Sequence, residues 1–198
     1  MVTGRGDGPV ALPVSDDPPG KIRRPVAVLI GPPGSGKSTV GAALADLLHV
    51  PLHDTDAAIV AAQGRSIADI FLEDGEARFR EFEYAEVSRA LTDSEGVLAV
   101  GGGAVLDPRT QDALAGHAVV FLDVGIADAA KRVGFDRSRP LLGMNPRGHW
   151  VRLMDARRPT YERLAGSRVD TAGRSPQDIA TQIAALLQAQ DSAGAGSD

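Results

Sequence analysis

Short apolar runs alternate along the chain with amphipathic stretches, and this alternation predicts a repeated β–α unit. The clearest runs are Val26–Ile30 and Ala118–Asp123, which are long enough for buried strands. Shorter runs at Val50–Asp54, Val97–Val100 and Arg168–Asp170 predict further strands. Between the runs, apolar residues recur every three or four positions, as on one face of a helix. The chain is therefore expected to form an α/β fold, a parallel sheet with helices on both faces.

Signals for helix ends lie where this alternation requires them. Ser66 and Asp69 have the spacing of a capping box, and Asp107-Pro108 combines a preferred N-cap with a preferred first residue. A longer helix is predicted from Asp74 to about Leu91, and Ser175-Pro176 begins a terminal helix.

Three segments lack any period. Residues 1–24 are rich in Gly, Pro and Asp and are predicted to be a disordered leader. Residues 134–147 form a predicted loop, and residues 190–198 a predicted disordered tail. What remains, residues 25–189, has the length of a single domain.

Composition narrows the class of protein. The 198 residues are 43% apolar, carry a formal charge of −5 and include no cysteine. The charge and the absence of basic runs argue against nucleic acid as a partner, and no apolar stretch is long enough to span a membrane. We expect a cytoplasmic protein, since no signal peptide is visible and disulfides are impossible. A monomer is the expected form, although no feature of the sequence determines it.

A phosphate-binding motif follows the first predicted strand. Gly31–Ser38 matches the pattern G-x-x-x-x-G-K-[ST], with a strand before it and a helix after it. Its glycines allow backbone N–H groups to surround a polyphosphate, and the helix dipole favours the same anion. Lys37 is expected to reach the β- and γ-phosphates, and the Ser38 hydroxyl to hold Mg²⁺. The motif predicts a site for a nucleoside triphosphate.

Two carboxylates follow the second predicted strand. Asp54 and Asp56 are two residues apart in an extended segment and therefore point in the same direction. One could order the water ligands of Mg²⁺ while the other accepts a proton from a substrate hydroxyl. The alternative is that they cap the helix that begins near Ala57.

A helical arginine and a glycine turn are further candidates. Arg80 could present its planar guanidinium to a carboxylate, or it could lie on a solvated face and pair with Glu83. Gly101–Gly103 could bring backbone N–H groups close to a ligand, or it could be a flexible turn.

Basic residues surround the predicted loop. Arg132, Arg139 and Arg147 could close over a transferring phosphoryl group, or they could be solvated loop charges. The histidines have no metal-like spacing, and Trp150 is interpreted as a packing residue.

In their order along the chain, these features resemble the shikimate kinase family, a P-loop family related to the nucleoside monophosphate kinases. The resemblance extends from about Val26 to Leu187. The segments that support it are Gly31–Thr39, Asp54–Asp56, Gly64–Phe71, Phe79–Glu81, Gly101–Ala104 and Arg139–Leu142. It implies a three-layer α/β/α P-loop fold with a five-stranded parallel sheet and a mobile lid. It also implies transfer of the ATP γ-phosphoryl to the 3-hydroxyl of shikimate, on the route to chorismate and the aromatic amino acids.

The resemblance also implies roles for individual residues. The family's catalytic positions match Lys37, Asp56 and Arg139. Its ATP-binding positions match Gly34, Ser35, Gly36, Lys37, Ser38, Thr39, Arg132, Arg139 and Arg174. Its substrate-binding positions match Asp56, Arg80, Gly101, Gly102, Gly103 and Arg157. The resemblance also implies that Mg²⁺ is held by Ser38 directly and by Asp54 through water.

Some alternatives stay open at this point. Arg157 fits the pattern Arg-x-Pro-x-Tyr better than its neighbour Arg158, but the two are adjacent, and Arg147 has no assigned role. A kinase of the same architecture could act on gluconate or a nucleoside monophosphate, and a nucleotide switch without catalysis is a further alternative.

Overall fold

A five-stranded parallel sheet forms the centre of the molecule, with the strand order β2-β3-β1-β4-β5. The computed structural model describes residues 25–133 and 145–194. The strands are β1 (Ala27–Ile30), β2 (Leu52–Asp54), β3 (Val97–Ala99), β4 (Val119–Asp123) and β5 (Ser167–Asp170). Every pairing is parallel, which confirms the predicted α/β class. Each predicted strand is present, with ends that move by one or two residues.

Helices connect the strands. They are α1 (Lys37–Leu48), α2 (Thr55–Gln63), α3 (Ile67–Glu73), α4 (Gly75–Asp93), α5 (Pro108–Ala113), α6 (Ile126–Val133), α7 (Pro146–Leu164) and α8 (Pro176–Gly194). The capping box before α3 is confirmed, because the Ser66 hydroxyl accepts from Asp69 N and the Asp69 carboxylate accepts from Ser66 N. The Asp107 cap of α5 is also confirmed, since its carboxylate accepts from Arg109 N at 2.8 Å.

Two predicted boundaries are wrong. Helix α7 begins at Pro146, inside the loop predicted for residues 134–147, because Asn145 caps it by accepting from Gly148 N at 2.9 Å. Helix α8 continues to Gly194, past the start predicted for the tail at residue 190. The leader at 1–24, residues 134–144 of the loop and residues 195–198 lie outside the described residues. The monomeric state and the cytoplasmic location stay predictions.

Apolar side chains cover both faces of the sheet, because successive residues of a strand point to opposite sides. Val28 of β1 packs with Val87 of α4 and Tyr161 of α7 on one face. The next residue, Leu29, packs with Leu44 of α1 and with α8 on the other. A smaller cluster joins α2, α3 and α4. Among the described helices, none is long and apolar enough to cross a membrane.

The strand register places the functional loops at one edge of the sheet. Leu29 of β1 lies opposite Ala99 of β3, and Ala99 lies opposite Asp54 of β2. The phosphate-binding motif, the glycine turn and the paired carboxylates therefore all begin at the carboxyl ends of adjacent strands. This is the edge at which parallel sheets bind ligands.

Candidate active site

A cavity of about 630 Å³ opens at this edge of the sheet. Its lining includes Gly34, Gly36, Lys37, Ser38, Thr39, Asp54, Asp56, Gly101, Gly102, Arg132 and Arg174. The structure thus brings most of the predicted ATP-binding residues together with Asp56 and part of the glycine turn. Ser35 is buried behind the lining.

The loop between β1 and α1 has the geometry that an anion site needs. Gly34 and Gly36 have φ angles of 83° and 92°, values that favour glycine. Gly36 is the N-cap of α1 and has no side chain to satisfy the first N–H groups of the helix, which are directed toward the cavity edge. Lys37 Nζ donates to the carbonyl oxygens of Gly31 at 2.8 Å and Pro32 at 3.3 Å.

Burial lowers the pKa of Lys37 to about 8. The carboxylates of Asp56 and Asp54 act in the opposite direction, and the Arg157 guanidinium lowers the pKa further. An anionic phosphate in the cavity would favour the charged amine in the same way as these carboxylates do.

Asp54 caps α2 with one carboxylate oxygen and contacts the phosphate-binding loop with the other. Its Oδ1 caps α2 by accepting from Asp56 N at 3.0 Å and Ala57 N at 3.2 Å. Its Oδ2 accepts from the Ser38 hydroxyl at 2.5 Å. The capping alternative is therefore confirmed for Oδ1, while Oδ2 is hydrogen-bonded to Ser38 of the phosphate-binding loop.

Asp56 lies in the first turn of α2, beside the glycine turn. A Cβ atom built on Gly101 would lie 2.6 Å from Asp56 Oδ1 and 2.7 Å from Glu83 Oε1. Any side chain at Gly101 would therefore displace both carboxylates. Gly101 N donates to the buried Thr55 hydroxyl at 3.0 Å, which holds the turn against the start of α2. The glycine turn is therefore packed closely against α2 and α4 and is not a flexible connection.

Arg80 projects from α4 toward the same turn, and a Cβ atom on Gly103 would contact its guanidinium. Its Nη1 donates to Glu83 Oε2 at 2.5 Å and its Nη2 to Glu76 Oε1 at 3.0 Å. The predicted pairing with Glu83 is confirmed, but Glu83 is only 2% exposed, so this ion pair is not a solvated one.

The two adjacent arginines of α7 have different surroundings. Arg157 Nη1 donates to the Gly102 carbonyl at 3.0 Å, and the buried Tyr161 hydroxyl donates to the same oxygen at 2.6 Å. Arg158 instead forms a bidentate pair with Asp123, with both distances at 2.9 Å. Arg157 therefore faces the glycine turn, and Arg158 belongs to a structural ion pair at the end of β4.

Arg132 and Arg174 lie at the far side of the cavity. Arg132 Nη1 donates to the carbonyls of Gly34 at 3.2 Å and Ser35 at 3.3 Å, and its Nη2 donates to Thr171 O at 2.6 Å. Arg174 donates to Gln182 Oε1 at 2.5 Å. Arg139 lies outside the described residues.

Sequence reasoning missed Glu83 and Tyr161 as parts of this site. A signal for Glu83 was available, because it lies four residues from both Phe79 and Val87 on the apolar stripe of α4. A charge on such a stripe needs a buried partner. The Tyr161 hydroxyl has no comparable signal, since a buried tyrosine is common in a core.

The oxygen atoms of Ser38 and Asp54 fit a magnesium ion. Both are hard ligands, and they lie next to the loop expected to hold phosphates. Within the described ranges, no group of three or more His, Cys, Asp or Glu side chains could hold a metal.

Comparison with known proteins assigns the family. The model of the family described as shikimate kinase matches residues 33–188. The shikimate kinase of Salinispora arenicola is 52% identical over 165 residues, which cover 83% of this chain and 99% of the relative. That of Streptomyces coelicolor is 52% identical over 160 residues, 81% of this chain and 93% of the relative.

A solved structure is similar over the same region. Shikimate kinase from Acinetobacter baumannii in complex with shikimate superposes with a TM-score of 0.80 at 32% identity. The match covers 84% of this chain and 94% of the other. Fold, site and sequence agree, and the chain belongs to the shikimate kinase family.

Proposed function

We propose that this protein transfers the γ-phosphoryl group of ATP to the 3-hydroxyl of shikimate, giving shikimate 3-phosphate and ADP. The observation that carries the proposal is a cavity lined by the phosphate-binding loop, by Asp56 and by the glycine turn. A phosphoryl donor and a hydroxyl acceptor both need access to one water-poor space for direct transfer.

On the donor side, backbone N–H groups of Gly34–Thr39 and the amine of Lys37 bind the phosphates. The carbonyls that Lys37 contacts in this structure are 2.8 and 3.3 Å away, so a short movement of its flexible chain frees the amine for phosphate. Arg132 and Arg174 line the outer part of the cavity and would contact the nucleoside. Arg139 is assigned to the phosphates by family resemblance alone.

Ser38 and Asp54 would hold Mg²⁺, with Asp54 acting through a bound water molecule. The ion, when bound, neutralises charge on the phosphates. The Ser38–Asp54 contact of 2.5 Å supports this assignment, because it keeps two hard oxygen ligands side by side.

On the acceptor side, shikimate offers one carboxylate and three hydroxyl groups. Arg80 and Arg157 are the cations for the carboxylate, since both guanidinium groups contact the glycine turn. The amides of Gly101–Gly103 line the pocket, where the absence of side chains lets a small acid approach closely.

Asp56 is the proposed base. In the transfer, the 3-hydroxyl oxygen forms a bond to the γ-phosphorus while the bond to the bridging oxygen of ADP breaks. The hydroxyl proton passes to the Asp56 carboxylate. Lys37, whose pKa burial lowers to about 8, is favoured in its charged form by the phosphates and stabilises the charge on the transferring group.

A coupled assay of ADP release tests the proposal. The purified protein is given ATP and Mg²⁺ with shikimate, gluconate or each common nucleoside monophosphate as acceptor. We expect turnover with shikimate and background rates with the others. Turnover with gluconate or a nucleotide and none with shikimate would contradict the proposal, and ATP hydrolysis unaffected by any acceptor would favour a switch.

A further inference from the structure

Trp150 joins helix α7 to the phosphate-binding loop through one hydrogen bond. Its indole Nε1 donates to the Pro33 carbonyl at 3.0 Å, across 117 positions of sequence. The side chain is 5% exposed and packs in the core beneath the sheet edge. A buried indole N–H needs a hydrogen-bond acceptor. In this protein the acceptor is a backbone carbonyl of the phosphate-binding loop.

The neighbouring carbonyls of this loop are held in the same way. Lys37 binds the carbonyls of Gly31 and Pro32, and Arg132 binds those of Gly34 and Ser35. Trp150 supplies the donor for the carbonyl between them. Each of the five successive carbonyls from residue 31 to residue 35 thus accepts a hydrogen bond from a side chain.

Holding these carbonyls determines where the amides point. The carbonyl of Pro33 and the N–H of Gly34 belong to one planar peptide and point in opposite directions. Gly34 has a φ of 83° and no side chain, so it does not itself restrict that peptide. The Trp150 bond therefore directs the Gly34 amide, which is one of the amides expected to bind phosphate.

The role of Trp150 becomes larger when nucleotide binds. Lys37 is needed at the phosphates, so its bonds to Gly31 and Pro32 are the ones given up. The Trp150 bond does not involve Lys37, so it can stay in place when the amine moves to the phosphates.

The same helix also holds the acceptor side. Arg157 and Tyr161 of α7 both donate to Gly102 O, and a Cβ atom on Gly102 would lie 3.2 Å from Gly31 O and 3.5 Å from Pro33 Cδ. The glycine turn therefore packs directly on the phosphate-binding loop. Helix α7 is bonded to both loops, at Trp150 and at the pair Arg157 and Tyr161.

We propose that Trp150 is a positioning residue of the phosphate-binding loop, whose indole N–H keeps the Pro33–Gly34 peptide oriented for nucleotide and aligned with the glycine turn. The inference rests on the proposed function in that it takes Gly31–Ser38 as the nucleotide site. It is testable without the acceptor, because ADP binding alone reports on the loop.

The test compares two conservative variants of α7. Trp150→Phe keeps an aromatic ring but removes the N–H donor, and Tyr161→Phe removes one hydroxyl at the other end of the same helix face. By calorimetry, the dissociation constant for ADP should rise roughly threefold to tenfold in Trp150→Phe, as for loss of one neutral hydrogen bond, and stay within about twofold in Tyr161→Phe. In the kinetic assay, the KM for ATP should rise in the first variant, and that for shikimate in the second.

The crossed pattern links each end of α7 to its own loop, since a general loss of stability would weaken the binding of both ligands in both variants. An unchanged ADP dissociation constant in Trp150→Phe would overturn the inference, as would equal losses of ADP affinity in the two variants. If native protein binds ADP but does not phosphorylate shikimate, the proposed function fails, while the effect of Trp150 on ADP affinity still decides this inference.

A second measurement needs no variant and serves if Trp150→Phe does not fold. Trp150 is the only tryptophan of the chain, so ¹⁵N-labelled protein has one indole N–H signal. We expect this signal to move on titration with ADP and to follow the calorimetric affinity. A signal that does not move at saturating ADP would overturn the inference.

Discussion

Arg80 donates a hydrogen bond to Glu83 at 2.5 Å, one helical turn further along α4. The pair holds the guanidinium against the glycine turn, where Gly103 has no side chain to obstruct it. Burial raises the pKa of Glu83, while the Arg80 charge opposes that rise. A buried carboxylate thus lies beside the cation that we propose as a ligand of the substrate carboxylate.

Replacing Glu83 should weaken acceptor binding through Arg80. Glu83→Gln keeps the volume but removes the charge that orients the guanidinium, so we expect the KM for shikimate to rise about tenfold, equal to about 1.4 kcal/mol. Glu76→Gln is the matched control, because Glu76 also bonds Arg80 but its side chain is 67% exposed. Its KM for shikimate should stay within about twofold, and equal effects in the two variants would contradict a special role for Glu83.

The same variant predicts a pH dependence of stability. Because the pKa of Glu83 in the folded protein lies above its ordinary value of 4.5, the folded state binds this proton more tightly than the unfolded chain. Native protein should therefore lose stability relative to Glu83→Gln as the pH rises from about 4.5 through the raised pKa. Urea unfolding of both proteins from pH 4.5 to 7 checks this, and a constant difference in the free energy of unfolding would contradict it.

Substitution of Arg157 should impair shikimate binding, whereas substitution of its neighbour Arg158 should lower stability. Arg157→Ala should raise the KM for shikimate roughly tenfold to a hundredfold, since it removes a charge-assisted contact to the carboxylate. Arg158→Ala should leave that KM within about twofold but lower the free energy of unfolding by about 1–3 kcal/mol, because Asp123 is only 8% exposed and keeps Arg168 as its remaining cation. Steady-state kinetics and urea unfolding check both variants. A raised KM in Arg158→Ala together with a loss of stability in Arg157→Ala would reverse the roles of the two arginines.

Substitution of Asp56 should lower kcat, whereas substitution of Asp54 should weaken the binding of Mg²⁺. Asp56→Asn should lower kcat roughly 100-fold to 10,000-fold, as for loss of a base, with the KM for ATP within about threefold. Asp54→Asn should instead raise the Mg²⁺ concentration needed for half-maximal activity. Asparagine caps helices as well as aspartate does, so α2 should remain intact in this variant. Magnesium titrations at saturating ATP and shikimate distinguish the two.

Nucleotide affinity should depend on the protonation of Lys37. With a pKa of about 8 in the nucleotide-free protein, this amine loses its charge as the pH rises above 8, and the dissociation constant for ADP should increase there. Calorimetry from pH 6.5 to 9 in buffers of different ionisation enthalpy should show proton uptake on binding above pH 8. Lys37→Met should remove that uptake, and native protein without it would contradict the lowered pKa.

The sequence was sufficient for the fold class and for the backbone of the phosphate-binding loop. Gly31–Ser38 is a local pattern with a strand before it and a helix after it, so neighbouring residues alone define its backbone. Parallel pairing follows from the β–α alternation, and the edge at which Asp54 and the glycine turn meet follows from parallel pairing.

The acceptor side depends on packing that no local pattern records. Arg157 and Arg158 differ only in which side of α7 faces the turn, and that is decided by the burial of Tyr161 and Trp150. The sequence left Asp54 open between helix capping and metal binding. In the structure one carboxylate oxygen caps α2 and the other accepts from the Ser38 hydroxyl. The start of α7 at Pro146 was missed because Asn145 was counted as a loop residue instead of a cap.

The pairing of Leu29 with Ala99 has a consequence for how acceptor specificity can change. The phosphate-binding loop and the glycine turn leave the sheet at the same level, on separate strands, and α7 forms hydrogen bonds to both. Residues after β3 and along α4 can therefore be exchanged for others that recognise a different hydroxy acid, while the nucleotide half keeps its geometry. An engineer who wishes to redirect this kinase would leave β1 and α7 intact and vary the positions around Arg80 and the glycine turn.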